Sequence, residues 1–345
     1  MERQGSDGRI AAAISVVVPF YNLERYVRPC LDSVAAAFRA LDAGRGAAAV
    51  EVICVDDGST DSTGGLLDAY ARELPSLGLD GFSVRVMHQA NGGEGAARNA
   101  GVAAATGAWV TFLDGDDVWL ANHLEVAVPI LSRCSEADIV AFRYADFEDG
   151  AAAPAPTSAA PREIDLSSSV PSEVLLEVGV FPTFFRRDFA AAGRFSALPL
   201  GADRLYMAQC FARARAVVKC DATVHGYRHR AGSMARVAWG ARKVTSLCDY
   251  AVGSLEALAA SGKQIGREGQ EYTASMWLSD VPNRIARLPR AERRGAWMHW
   301  RAALADECLD ALPRFDRVRR LLRRCAFSMG LSLAVARLLR KAGVS

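Results

Sequence analysis

A chain of 345 residues, 51% hydrophobic and 23% charged, is long enough for one large domain or two moderate ones with real cores. Its formal charge of +2 gives no electrostatic reason for a nucleic-acid partner, and no run of about 18 apolar residues offers a membrane span. Residues 1–13 are polar without an apolar h-region, so no secretory leader is expected, and the 8 cysteines, with no Cys-x-x-Cys, read as reduced buried thiols of a cytoplasmic protein rather than a disulfide frame or zinc site.

Residues 1–12 are read as a flexible N-terminus. Ile14-Ser-Val-Val-Val18 then forms a buried strand, and residues 24–41 a helix that Pro29 is expected to kink or split. Val50–Val55 is the next strand, 61–73 the next helix, and Ser83–His88 a third strand before a helix over 95–105. Ala108–Leu113 and Ala137–Tyr144 complete the strands, with a helix over 121–133 between them. Alternation of this kind predicts a mostly parallel sheet covered on both faces, with ligands at the carboxyl ends of the strands. Four loops should therefore open on one rim: Pro19-Phe-Tyr-Asn22, Asp56-Asp-Gly-Ser-Thr-Asp61, Asn91-Gly-Gly-Glu-Gly95 and Asp114-Gly-Asp-Asp117. Glu148–Pro161, mostly Ala, Pro and Gly, reads as an exposed mobile loop, and 173–227 returns to mixed structure. From about Trp239 the pattern is helical. A boundary between Arg236 and Val244 divides the chain into domains of 13–240 and 241–345.

Residues 110–117 read Val-Thr-Phe-Leu-Asp-Gly-Asp-Asp, an apolar run that delivers three carboxylates where a strand should end. An extended backbone would send Asp114 and Asp116 to one side, where they could share a hard divalent cation that keeps positions for phosphate oxygens. A solvated acidic turn is the competing explanation. Asp56 or Asp57 could accept a hydrogen bond from a base N–H, against an ordinary strand-to-helix turn begun by Asp61. The ring of Tyr21 could lie on a nucleobase, against simple surface packing. Gly92, Gly93 and Gly95 allow close backbone approach to a ligand, and Arg98 supplies a charged fork, or only a salt-bridge partner.

In order and spacing, Val-Pro-Phe-Tyr-Asn, Val-Asp-Asp-Gly-Ser-Thr-Asp, Asn-Gly-Gly with Ala-Arg-Asn-Ala-Gly, and Phe-Leu-Asp-Gly-Asp-Asp resemble glycosyltransferase family 2 over about residues 14–236. The resemblance implies an α/β fold of GT-A type, a mostly parallel central sheet flanked by helices and followed here by a C-terminal helical region. It also implies a nucleoside-diphosphate-sugar donor, with uridine as the nucleoside, a divalent cation (Mn²⁺ or Mg²⁺) and inversion at the anomeric carbon. By that resemblance Pro19, Tyr21 and Asp57 hold the base with Asp56 beside them, and Asn22 and Gly115 belong to the donor-binding set. Asn91 and Arg98 lie near the nucleotide, Asp114 at the ribose and metal, and Asp116 on the metal, with Asp117 at the third acidic position. Leu200-Gly-Ala-Asp-Arg-Leu-Tyr206 is similar to the family's Gly-Glu-Asp segment, which makes Asp203 the general base. Ala202 replaces the Glu, and the lost negative charge makes Asp203 a weaker base; capping of a helix over Arg204–Arg213 is its competing role. Arg228, His229 or Arg230 could reach the diphosphate or form a solvated basic loop. His88, His123 and His299 read as structural.

The implied chemistry is a single in-line displacement without a covalent intermediate, on a hydroxyl of a cell-surface glycan, glycopolymer or lipid-linked acceptor. Glu148–Pro161 and Ala231–Arg236 are candidate lids that exclude water. Val318, Leu321, Leu322, Cys325 and Met329 mark one helical face amid Arg317, Arg319, Arg320, Arg323 and Arg324. Such a helix could lie on the inner face of the membrane, pack in a bundle or make an oligomer contact. A catalytically impaired nucleotide-sugar binding protein is the alternative that Ala202 suggests. A nucleotidyltransferase or dinucleotide dehydrogenase lacks support, because no Gly-rich, Lys-bearing loop and no Gly-x-Gly-x-x-Gly follows the first strand.

Overall fold

A computed structural model of the chain describes residues 12–43, 48–134, 137–233, 239–275 and 280–304, together with Met329. In chain order the first elements are β1 (Ala12–Phe20), α1 (Val27–Ala43), β2 (Ala48–Asp56), α2 (Thr63–Glu73), β3 (Phe82–His88), α3 (Glu94–Ala104), β4 (Trp109–Phe112), β5 (Val118–Trp119) and α4 (His123–Arg133). There follow β6 (Ile139–Glu148), β7 (Pro161–Asp165), β8 (Ser169–Val170), α5 (Ser172–Glu177), β9 (Thr183–Arg186), α6 (Arg187–Ala191), α7 (Ala202–Arg213) and β10 (Ala216–His229). The described chain closes with α8 (Ala241–Ala260), β11 (Gln264–Ile265), α9 (Arg267–Ser275), α10 (Val281–Arg287) and α11 (Arg290–Leu304).

The backbone divides into two units. The first joins residues up to Ile164 with Gly179–Arg194 and Ala216–Arg230; the second joins Asp165–Val178, Phe195–Arg215 and the chain from Ala231. This grouping differs from a division at residue 240, because α5 and α7 pack with helices of the C-terminal region rather than with the large sheet.

In the first unit the sheet order is β3-β2-β1-β4-β9-β6-β10-β5, with β7 beside β10. β1 pairs in parallel with β2 and β4, β2 with β3, and β6 with β10, while β9 runs antiparallel to both β4 and β6. Two antiparallel steps restore direction, so β1, β2, β3, β4, β6 and β10 all point the same way. Their carboxyl ends, together with the start of β9, form one rim. Val16, Val17 and Val18 are all fully buried, the mark of a strand covered on both faces, and each contributes about 1.5–3 kcal/mol of burial.

Pro29 does not kink α1. It stands in the first turn, whose N–H groups have no intrahelical partner, so its missing donor costs nothing there. Pro129 instead lies inside α4. The expected loop 148–161 is largely exposed but tied to β10: Thr157 N–H donates to Thr223 O at 3.2 Å, and Thr223 N–H to Thr157 Oγ1 at 2.8 Å.

In the second unit Val244, Cys248, Ala251, Leu255 and Leu258 recur every three or four residues and bury one face of α8. Strand structure does not vanish after residue 239: Gln264–Ile265 pairs in parallel with Ser169–Val170, a segment too short to show period-two alternation. The basic amphipathic stretch expected around residues 317–341 lies outside the described residues apart from Met329. Among the described residues no helix is long and apolar enough to cross a membrane.

Candidate active site

The first two rim loops are laced together by side chains that favour turns. Asn22, with φ +52°, donates its N–H to Ser59 Oγ at 3.1 Å and accepts from Thr60 N–H through Oδ1 at 2.8 Å. Leu23 N–H reaches Thr63 Oγ1 at 2.8 Å, and Ser62 N–H reaches Glu24 Oε2 at 3.1 Å. Asp61 accepts from Thr63 N–H at 3.0 Å, just ahead of α2, whose N-cap position is Ser62. Pro19 is buried within β1. Tyr21, just past the end of β1, is 48% exposed.

Asp57 is buried and fixes the third loop. Its Oδ1 accepts from Gln89 Nε2 at 2.7 Å and Gly92 N–H at 2.9 Å, and its Oδ2 from Gly93 N–H at 2.7 Å. Gly93, at φ +85°, adopts a backbone that only glycine takes freely, and it starts α3. Asn91, beside the clamped glycines, is exposed. Asp56 accepts from Ser59 N–H at 3.0 Å and pairs with His88 Nδ1 at 2.9 Å. Burial alone would raise the Asp56 carboxyl; hydrogen bonds from Ser59 and His88 outweigh it and hold the group below its ordinary value.

The acidic segment is a turn and not an extended strand end. Asp117 N–H donates to Asp114 O at 2.9 Å, and the strand has already ended at Phe112. The convergence of Asp114 and Asp116 thus comes from a reverse turn rather than from period-two alternation. Gly115 is required at its tip, since a Cβ there would lie 2.6 Å from the ring of Phe20 and 2.9 Å from Leu23.

Each carboxylate of the turn has a partner. Arg98, almost fully buried on α3, donates through Nη2 to Asp114 Oδ1 at 2.6 Å and also to Glu94. Arg230 Nε donates to Asp116 Oδ2 at 2.5 Å. Arg228 binds the turn twice, through its Nε to Asp116 O at 2.7 Å and its N–H to Asp117 Oδ1 at 2.8 Å. Arg228 and Arg230 are therefore not a solvated basic loop. Both guanidinium groups also lie over the ring of Tyr26, at 5.4 and 5.5 Å, and Tyr26 donates to Asp149 Oδ2 at 2.8 Å. His229 takes no part; it pairs with Asp146 at 2.9 Å.

Asp117 is wholly buried, and its Oδ2 meets His225 Nε2 at 3.0 Å. Burial pushes the His225 imidazole down to about 4, so the ring is neutral, and its Nδ1 is buried without a hydrogen-bond partner among the described residues. Burial, and then the charges of Asp114 and Asp116, hold the Asp117 carboxyl well above the usual range. Asp114 is raised as well, by burial first, with Arg98 opposing and Asp116 adding to the shift. Negative charge held out of water in this way suits a hard cation. Among the described residues no three His, Cys, Asp or Glu side chains are grouped to hold a metal, so an ion here would take the rest of its oxygens from a bound phosphate and water.

Asp203 belongs to the second unit. It is not a helix cap: the N-cap of α7 is Gly201, at φ +83°, and Asp203 stands in the first helical turn. The entry to α7 is fixed from α8. Ser246 Oγ accepts from Leu200 N–H at 3.1 Å and donates to Leu200 O at 2.7 Å, while a Cβ on Gly201 would strike Tyr250 at 2.4 Å.

The sequence pattern did not reveal Tyr26, Asp149, Glu94, His225 or Ser246. Glu94 carried a signal, standing four residues before Arg98 on one helix. The others act across long stretches of chain. Of the three lone histidines, His123 is buried against Val224 O at 2.9 Å, His299 pairs with Asp249 at 2.5 Å, and His88 joins Asp56 to Asp68.

The family model described as Glycosyl transferase family 2 matches residues 15–198, which includes every rim residue above as far as Asp149. The glycosyltransferase GlyG of Streptococcus pneumoniae is 33% identical over 137 residues, 39% of this chain and 40% of that protein. The uncharacterized glycosyltransferase EpsJ of Bacillus subtilis is 36% identical over 104 residues, 30% of this chain and 26% of its own length. The alignments thus span well under half of these curated relatives. Among solved structures, S. aureus TarS 1–349 in complex with UDP-GlcNAc superposes with a TM-score of 0.69 at 21% identity, covering 96% of this chain and 92% of that one. The mannosyltransferase PcManGT of Pyrobaculum calidifontis, in complex with GDP-Man and Mn²⁺, gives 0.52 at 16% identity, covering 95% and 86%. These likenesses show the GT-A fold.

Proposed function

The chain belongs to glycosyl transferase family 2, and we propose that it transfers a sugar from a nucleoside-diphosphate-sugar, with uridine as the nucleoside, to an acceptor hydroxyl with inversion. The observation that carries the proposal is the rim itself. An exposed tyrosine, a clamped glycine loop, a buried arginine and a turn of three carboxylates follow successive parallel strands, and two arginines from β10 meet that turn. Nucleotide-sugar complexes of structurally similar proteins, with UDP-GlcNAc and with GDP-Man and Mn²⁺, support the donor class and the cation.

In this scheme Tyr21 covers the base, and Asp57, with Asp56 beside it, shapes the pocket floor by fixing Gly92 and Gly93 near Asn91. Asn22 holds the first two loops in register. Asp114, oriented by Arg98, faces the ribose and diphosphate; Asp114 and Asp116 hold Mn²⁺ or Mg²⁺. The cation, when bound, offsets the charge that grows on the departing diphosphate. Arg228 and Arg230 supply positive charge beside the same turn through planar guanidinium groups. Asp203 accepts the proton of the acceptor hydroxyl as that oxygen attacks the anomeric carbon from the face opposite the leaving group. No second carboxylate is needed, because one displacement completes the transfer. The acceptor is a glycan, glycopolymer or lipid-linked saccharide.

The test is release of nucleoside diphosphate from a panel of nucleotide-sugars with Mn²⁺, Mg²⁺ or EDTA, beside Asp116→Asn and Asp203→Asn. Metal-dependent release from one donor, lost in both variants, is the expected result. Turnover that survives Asp203→Asn would remove the base, and turnover unaffected by EDTA would remove the metal. Ala202 supports one other reading, a donor-binding protein without turnover: calorimetric UDP binding with no release on any acceptor would favour it.

A further inference from the structure

We propose that Tyr144, Phe181 and Tyr227 form a stacking platform for a pyranose ring of the acceptor, next to the acidic turn. The inference rests on the transferase reading above and extends it to a subsite.

The three rings come from separate elements of the first unit that end on one rim: Tyr144 from β6, Phe181 from the segment leading into β9, and Tyr227 from the end of β10. Phe181 and Tyr227 lie parallel, with centroids 5.8 Å apart and planes 6° from each other. Tyr144 leans on both, at 5.8 Å from Tyr227 and 6.2 Å from Phe181. Phe181 also stacks on His225, at 5.3 Å with planes 18° apart, and that imidazole is the partner of Asp117. The platform is thus one ring removed from the turn that carries Asp114 and Asp116. The same carboxylates, after burial, help push the Tyr227 phenol up.

Packing of the core does not require this cluster to be open, yet Tyr144 remains 44% exposed and Phe181 and Tyr227 half-buried. Neither tyrosine hydroxyl bonds to another described residue. Polar groups flank the rings: Asp146 lies opposite Tyr227 in the strand register, and its partner His229 stands edge-on to Tyr227 at 5.2 Å. Aromatic faces edged by free phenols, a carboxylate and an imidazole match a molecule with a flat C–H face and a ring of hydroxyl groups. A pyranose is such a molecule, whereas an acyl chain would leave the polar edge unsatisfied.

Position along the sheet selects the acceptor over the donor. The loops assigned to the nucleotide follow β1, β2 and β3, and the acidic turn follows β4. The platform stands beyond β9, on β6 and β10, and so on the side of the turn away from the base. A ring bound there is separate from the loops assigned to the base and can present a hydroxyl beside the acidic turn.

Saturation-transfer NMR on the full chain, with methyl glycosides of glucose, galactose and N-acetylglucosamine and with sorbitol as an open-chain control, tests the platform. Calorimetric titration with UDP runs in parallel. Protons on one face of a pyranoside should be saturated, sorbitol should give no signal, and Tyr144→Ala should weaken the pyranoside by about tenfold while UDP affinity holds. Tyr227→Phe, which keeps the ring and removes only the hydroxyl, should lose less than Tyr144→Ala, and this variant retains the packing. UDP binding without pyranoside binding, or pyranoside affinity unchanged in Tyr144→Ala, would overturn the platform. Pyranoside binding that depends on Tyr144 in a chain that fails to bind UDP would uphold the platform and overturn the donor assignment instead.

Discussion

Arg230 Nε stands 2.5 Å from Asp116 Oδ2, on the carboxylate assigned to the cation. One oxygen cannot serve both at full strength, so in the absence of donor the guanidinium competes with the metal. In the proposed mechanism the same arginine turns to the diphosphate when the donor binds. Arg230→Gln should therefore tighten Mn²⁺ binding to the donor-free chain by about threefold to tenfold, since the pair is only about one-fifth exposed. It should also weaken UDP binding measured with Mn²⁺ present. Electron paramagnetic resonance of free Mn²⁺ reads the first effect directly. Equal Mn²⁺ affinity in both proteins would show that Asp116 is not the ligand.

Asp57 holds three donors from the segment 89–93, and its loss would leave Gly92 and Gly93 N–H without acceptors. Asp57→Ala should cost about 1–3 kcal/mol in urea unfolding, the usual worth of hydrogen bonds to a charged group. UDP affinity should fall with it, since Asn91 and the start of α3 are fixed by the same clamp. Unfolding that shifts while UDP affinity stays constant would limit Asp57 to a structural part.

The first half of the sheet was legible because β1, β2 and β4 are short, largely buried apolar runs and the edge strand β3 keeps a β-branched pattern, each closed by a turn rich in Gly, Asn or Asp. Those same turns named the rim residues. The second half was less legible for physical reasons. β9 is four residues long, and β7 begins with proline in a segment that reads as loop. Arg228 and Arg230 find Asp116 across more than a hundred residues, a distance over which no local pattern reports. The convergence of Asp114 and Asp116 was expected for the wrong reason: a turn brings them together, not an extended strand. α7 was expected from its sequence, but its partnership with α8 depends on Ser246 and Tyr250, which nothing local distinguishes from ordinary helix residues.

His88 makes the base-side loops pH-sensitive. Its hydrogen bond to Asp56, then that to Asp68, raise its pKa above the ordinary 6.5. A raised histidine contributes its stability in full below the unfolded value and loses it as pH rises through the folded one. The window therefore opens above 6.5, and the side chain is half-exposed, so the effect is modest. Between about pH 6 and pH 8.5 the wild type should lose about 1–2 °C more in Tm than His88→Gln. Parallel curves for the two proteins would contradict this.

Ser246 offers the sharpest separation of structure from chemistry in the second unit. Its hydroxyl accepts Leu200 N–H and donates to Leu200 O, and it is buried, so Ser246→Ala strands two backbone groups at the entry to α7. The expected stability loss is about 1–3 kcal/mol. Because Asp203 stands in the first turn of that helix, any shift of the entry moves the carboxylate that the proposed mechanism uses as base. A misplaced base slows the chemical step without altering donor binding, so kcat should fall while the KM for nucleotide-sugar holds. Ser246→Thr, which returns the hydroxyl, should recover most of both. A fall in stability with unchanged kcat would mean that α8 supports the fold alone. The same kcat loss persisting in an Asp203→Asn background would mean that Ser246 acts on something other than the base, since two residues that work through one group cannot lose its contribution twice.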